Sequence, residues 1–129
     1  MTVLANKPGP LAGRRVLVVE DEYFLADDIA RALTASGAGI VGPFGELQEA
    51  ANMVAGGASI DAAILDINLR SEMVFPLART LRGRNIPFVF TTGYDSSSIE
   101  PEFQDIVLWE KPLDPTAVSG ELARLIRNG

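Results

Sequence analysis

Three acids in succession, Glu20, Asp21 and Glu22, follow the apolar run Val16 to Val19. A lone acid, Asp66, ends the run Ala62 to Leu65; Thr92 follows Phe88 to Phe90, and Lys111 follows Ile106 to Trp109. Carboxylates gathered in one crevice repel and raise each other's pKa unless a hard cation takes their oxygens. The chain has no histidine and no cysteine, the donors zinc would ask for, whereas Mg²⁺, or Mn²⁺ in its place, suits a few carboxylates, a carbonyl and waters. A carboxylate at such a site can attack phosphorus and form an acyl phosphate, and Asp66 is the candidate. Charge on the three equatorial oxygens would then be met by the cation, the Lys111 ammonium and the Thr92 hydroxyl.

Singly, each residue has an ordinary reading. Acids after a strand cap and start a helix, and a threonine in a turn or a lysine in a loop is commonly just solvated. The weight comes from their sharing one edge, which the surrounding elements must create. The four apolar runs read as strands, Val16 to Val19 as one buried on both faces. Ile40 and Val41 make a further short strand. Between them, Leu25, Ile29, Ala32 and Leu33 fall at helical spacing and end at Gly37; Leu47, Ala50, Ala51 and Val54 end at Gly56 and Gly57. Val74, Leu77, Ala78 and Leu81 follow, with Pro76 in the first turn, and Asp114 and Pro115 open a last helix over Val118, Leu122, Leu125 and Ile126. Gly93 to Phe103, with three serines and Pro101, has few apolar anchors and predicts a short, mobile element. Alternating strands and helices predict an α/β, three-layer, doubly wound parallel sheet of order 2-1-3-4-5, with ligands beyond the carboxyl ends of the strands.

At 129 residues and 47% hydrophobic, the chain suits one domain, residues 14–129, behind a loose arm, residues 1–13, with no output domain. The net charge of -6 disfavours a nonspecific grip on nucleic acid or anionic lipid, so the expected partner is a protein or a cation. No apolar run has the length of a membrane span and no signal-peptide core is present, which predicts a cytoplasmic protein.

The segments RVLVVEDE at 15–22, AAILDINL at 62–69, FVFTTGY at 88–94 and LWEKPLDP at 108–115 together resemble the receiver domain of two-component response regulators, a flavodoxin-like fold. The resemblance runs from Arg14 to Arg127. It implies phosphorylation on Asp66, Mg²⁺ held by Glu20, Asp21, Asp66 and the backbone carbonyl of Asn68, and a phosphoryl group bound by Thr92 and Lys111. It further implies a cis bond before Pro112, and a histidine kinase's phosphohistidine as donor. Such a domain is a phosphoryl acceptor with self-catalysed transfer and slow autodephosphorylation rather than a turnover enzyme. FTTGY looks like a variant of the Phe-Ala-Thr-Gly-x-Tyr signature of alphaproteobacterial receivers, with Thr91 in place of alanine; kinases of the HWE or a related type are the usual partners there.

The chain departs from the family pattern at several places. Glu20 replaces the commoner first aspartate, and Asn68, Leu69 and Arg70 stand where Met-Pro is usual. Leu108 occupies the place of the aromatic residue that swings inward on activation, leaving Tyr94 and Trp109 as nearby aromatics, and alternation sends Trp109 to the opposite face. The expected switch segment is therefore Gly93, Tyr94 and their successors, with Leu108 as its silent partner. Lacking an output domain, such a receiver would dock on a downstream protein or drain phosphoryl groups from a kinase shared with a competing receiver.

Other classes fit less well. Gly37, Gly39 and Gly42 have dinucleotide-fingerprint spacing, but they close a helix instead of opening one. An FMN phosphate would be repelled by Glu20, Asp21 and Glu22. A haloacid-dehalogenase-type phosphatase needs an acid-base aspartate two residues after its nucleophile, where this chain has Asn68. An unphosphorylated interaction module would have lost an acid or the lysine, and none is lost.

Overall fold

The computed structural model describes residues 9–69, 72–93 and 99–128. The strands are β1 (Arg15–Val19), β2 (Gly39–Phe44), β3 (Ala62–Asp66), β4 (Asn68–Leu69), β5 (Glu72–Met73), β6 (Phe88–Thr92) and β7 (Leu108–Glu110). The helices are α1 (Tyr23–Ala35), α2 (Leu47–Ala55), α3 (Phe75–Gly83) and α4 (Pro115–Asn128). Five strands form one parallel sheet in the order β2-β1-β3-β6-β7, which is the doubly wound order expected. No helix among the described residues is long and apolar enough to cross a membrane.

The sheet divides the core in two. Leu17, Val19, Ala63, Leu65, Phe88 and Phe90 pack with α2 and α3 on one face. Val16, Val18, Ala62, Ile64 and Val89 pack with Ile29 and Leu33 of α1 and Val118 and Leu122 of α4 on the other. β3 and β6 are buried along their whole length, which is why they read as continuous apolar runs rather than alternating ones. Period-2 alternation carries on past these runs, so Glu20, Asp66 and Thr91 fall on the α1/α4 face. On β7 the same rule sends Leu108 to the α2/α3 face and Trp109 to the α1/α4 face, where each packs.

Helix ends follow the sequence signals. Gly37 and Gly57 adopt φ of 97° and 85° just beyond α1 and α2, the left-handed conformation that a side chain would strain. Asp114 accepts a 3.1 Å hydrogen bond from the Thr116 amide, capping α4 ahead of Pro115. Its carboxyl is held below the usual range by Thr116, through the hydroxyl first and then the amide.

Three expectations need correction. Residues 9–13 are not a loose arm: Leu11 is fully buried against the α1/α4 cluster and its amide donates to the Ser36 carbonyl at 2.8 Å. Burying a leucine side chain is worth about 2 kcal/mol, enough to hold a short turn down. Residues 1–8 lie outside the described residues. Between β3 and α3, where the sequence marks no strand, β4 and β5 pair antiparallel, Asn68 with Met73. Finally, the described part of the presumed mobile segment is well anchored. Pro101–Phe103 makes a 3₁₀ turn, Ile99 packs on the core, and Phe103 is fully buried, stacked on Phe75 and edge-on to Phe90. A single aromatic anchor outweighs the polar character of its neighbours. Residues 94–98, including Tyr94, lie outside the described residues.

Candidate functional site

Parallel pairing aligns the strand ends. Val19 stands opposite Leu65, Asp66 opposite Thr91, and Thr92 opposite Glu110, so the residues that follow β1, β3, β6 and β7 converge on one edge. Glu20 extends the β1 ladder by donating its amide to the Phe44 carbonyl at 2.9 Å, and the Lys111 amide donates to the Thr92 carbonyl at 2.8 Å. Lys111 precedes a cis peptide bond to Pro112, as expected; Gly42–Pro43 is cis as well, which nothing in the sequence announced.

The Lys111 ammonium is the hub of the edge. It donates to Glu20 Oε2 at 3.1 Å, to Glu22 Oε2 at 2.6 Å and to Asp66 Oδ2 at 3.1 Å. Asp66 Oδ1 accepts from the Asn68 amide at 3.1 Å, and Glu20 Oε2 from the Glu22 amide at 3.0 Å. Glu20 and Asp66 are buried, each 3% exposed, and Thr92 is buried beside them. Burial, and then the Asp66 charge, push the Glu20 carboxyl up to about 7. Burial also raises Asp66, against the opposing pull of Lys111. Burial alone would lower the lysine, but its bond to Glu22 and the charges of Asp66 and Glu20 outweigh that and raise it.

The acids fit a hard cation. One oxygen from each of Glu20, Asp21 and Asp66 lies within 4.8 Å of the others, and Glu20 Oε1 is buried with no hydrogen-bond partner. A buried carboxylate oxygen left unpaired is costly, and it is a donor of the kind that Mg²⁺ takes. Asp21, Asp66, Asn68, Thr92, Gly93 and Lys111 line the cleft above them. Leu108 stays outside it, packed toward α2 and α3.

Glu22 is a site residue that sequence reasoning left as a helix cap. It sits at the N-cap of α1 yet makes no side-chain cap bond, because its carboxylate turns to Lys111, 89 residues away. No local signal could have revealed a pairing of that separation. The cleft also reaches Leu25 and Asp28 on the next turn of α1.

No protein-family model matches this chain, and no curated protein does. Among solved structures, it is 38% identical to SdrG from Sphingomonas melonis Fr1, with 88% of this chain and 96% of that one covered at a TM-score of 0.76. It is 37% identical to the BeF3-activated conformation of SdrG from Pseudomonas melonis Fr1, covering 89% and 98% at a TM-score of 0.72. A response regulator receiver protein from Sinorhizobium medicae WSM419 is 25% identical over 88% of this chain and 94% of that one, with a TM-score of 0.77. Strand order, converging acids and lysine, and relatives of this identity and coverage agree: the chain belongs to the response regulator receiver domains.

Proposed function

We propose that this receiver accepts a phosphoryl group on Asp66 from the phosphohistidine of a sensor histidine kinase of the HWE or a related type. Glu20, Asp21, Asp66 and the backbone carbonyl of Asn68 would hold Mg²⁺ or Mn²⁺. The observation that carries the reading is the Lys111 ammonium seated among Glu20, Glu22 and Asp66. An ammonium has three donors, and here all three go to carboxylates, so the lysine fills the place where positive charge is wanted. A bound divalent cation supplies Lewis-acid neutralisation of a phosphoryl oxygen and of the acids' mutual repulsion. Lys111 can then turn toward the incoming group.

The chain's own residues do the rest. One Asp66 carboxylate oxygen attacks phosphorus as the bond from phosphorus to the imidazole nitrogen breaks; the electron pair stays on that nitrogen, and the donor ring, already protonated at its other nitrogen, leaves as neutral imidazole. Lys111 pairs with one phosphoryl oxygen and the Thr92 hydroxyl donates to another. Asn68, two residues past the acceptor, cannot protonate a leaving group, which favours a lasting acyl phosphate over phosphatase turnover. The BeF3-activated form of the relative supports the reading, since BeF3 mimics a phosphoryl group on a carboxylate.

Incubation with a radiolabelled phosphoramidate and Mg²⁺ tests it. The expected result is a base-labile adduct of one phosphoryl per chain, absent in Asp66→Ala and absent with chelator. Turnover of a phosphomonoester, or labelling that survives Asp66→Ala, overturns the proposal. Downstream, the phosphorylated edge would dock a target or drain a shared kinase, and these separate in a transfer experiment with a second receiver: draining lowers the other's label, docking leaves it unchanged.

A further inference from the structure

Thr91 is the position at which this chain departs from the alanine of the signature it resembles, and the site above makes no use of it. Its side chain is fully buried, and its hydroxyl oxygen has no hydrogen-bond partner. Valine has the same shape without the cost of a stranded polar group, so the hydroxyl is a penalty unless it finds a partner in some state of the site.

The sheet says which partner is in reach. Thr91 stands opposite Asp66 on β3 and opposite Trp109 on β7. Asp66, Thr91 and Trp109 share the α1/α4 face, and Val89 and Trp109 around Thr91 pack in the apolar cluster there. Within this row the one acceptor side chain is the Asp66 carboxylate, since the Trp109 indole N–H is a donor only. Strands lie about 4.8 Å apart, a gap that a threonine hydroxyl and an aspartate carboxylate together span. Thr91 does not line the cleft, so it approaches the acceptor from beneath and does not touch an incoming phosphoryl group.

The state that needs this donor follows from the Lys111 bonds. Asp66 Oδ2 accepts from the Lys111 ammonium and Oδ1 from the Asn68 amide, with the Glu20 carboxyl beside them. When Lys111 turns to the phosphoryl group, Asp66 loses one of these two anchors at the moment its attacking geometry matters most. We propose that Thr91 is a positioning residue for phosphoryl transfer: its hydroxyl donates to the Asp66 carboxylate from below the cleft and fixes its plane once Lys111 has left it. The proposal rests on Asp66 being the acceptor.

The test compares wild type, Thr91→Val and Thr91→Ser of the full chain, loaded with a small phosphoramidate and Mg²⁺, reading both the maximal loading rate and the donor concentration at half saturation. Thr91→Val should lower the maximal rate by about three- to tenfold, the value of one hydrogen bond, with half saturation unchanged and a melting temperature at or above wild type. Thr91→Ser, which keeps the hydroxyl, should restore the rate to within about twofold. Loading by Thr91→Val at the wild-type rate, or Thr91→Ser as slow as Thr91→Val, overturns the positioning role while leaving the acceptor in place. Failure of wild type itself to form an adduct removes the acceptor reading instead, and this inference with it. Should Thr91→Val melt lower than wild type, the serine variant alone decides: a wild-type rate supports the hydroxyl, a slow one rejects it.

Discussion

Two clusters in this molecule join acids to basic side chains, and they do opposite things. At the strand-end edge, Lys111 meets Glu20, Glu22 and Asp66, with the lysine side chain 14% exposed and those of Glu20 and Asp66 1% and 5%. On the far side of the sheet, Arg79 of α3 pairs with Glu100 and Glu102, Arg82 pairs with Asp105, and both guanidiniums lie over the Phe103 ring. There every charged side chain is at least 39% exposed. The residue types are the same, but the dielectric is not. In water the arginine clamp satisfies itself and merely trims the seat of a turn. Out of water, Glu20 at the edge keeps an oxygen unpaired and its carboxyl is pushed up to about 7, a strain that a cation would relieve. Burial, not the number of charges, separates a site from a brace.

The largest effect belongs to Phe103. If the turn is held by its aromatic anchor, Phe103→Ala should cost about 4 kcal/mol in urea denaturation, far more than any change to the arginines around it. A loss no larger than that of Arg79→Ala would mean that the clamp, not the ring, holds the turn.

At the edge, the sharper test is pH. Burial pushes the folded Glu20 carboxyl up to about 7 from the 4.5 of an exposed glutamate, so the folded state binds the extra proton between those values. Stability is then full below about 4.5 and falls as pH rises through about 7, by roughly 3 kcal/mol in chelator at the linkage value per pKa unit. Mg²⁺ should abolish that fall, because the oxygens that repel one another become its ligands. Thermal melts in chelator that stay flat from pH 5 to pH 8, as roughly spaced points about the titration, would show that Glu20 is not strained by its burial. Glu20→Gln should flatten the profile by removing the titrating group.

The smallest effect belongs to Arg79→Ala. Amide exchange across Ile99 to Ile106 should speed up slightly at low salt and match wild type at high salt, as screening of an exposed pair requires. A salt-independent difference would mean the clamp is less exposed in solution than its side chains are here.

Much of the architecture was legible along the chain. Continuous apolar runs marked β1, β3 and β6 because both faces of those strands are covered, and Gly37, Gly57 and Asp114 marked helix ends through local backbone demands. Asp66, Thr92 and Lys111 could be nominated because each ends or follows such a run. The docking of Leu11 and the burial of Phe103 were not legible, since each depends on a surface assembled by distant segments, and the short β4–β5 pairing had no apolar alternation to mark it.

By itself, then, the sequence determined the alternation of elements, the polarity of the strand ends and the absence of histidine and cysteine donors, all of which act through neighbours or composition. Only the tertiary structure decided that Glu22 serves Lys111 rather than its own helix, that Glu20 Oε1 and the Thr91 hydroxyl are stranded, and which of two similar charge clusters is dry. Those outcomes turn on solvent exclusion by residues far apart in the chain, a quantity with no value until the sheet has closed over them.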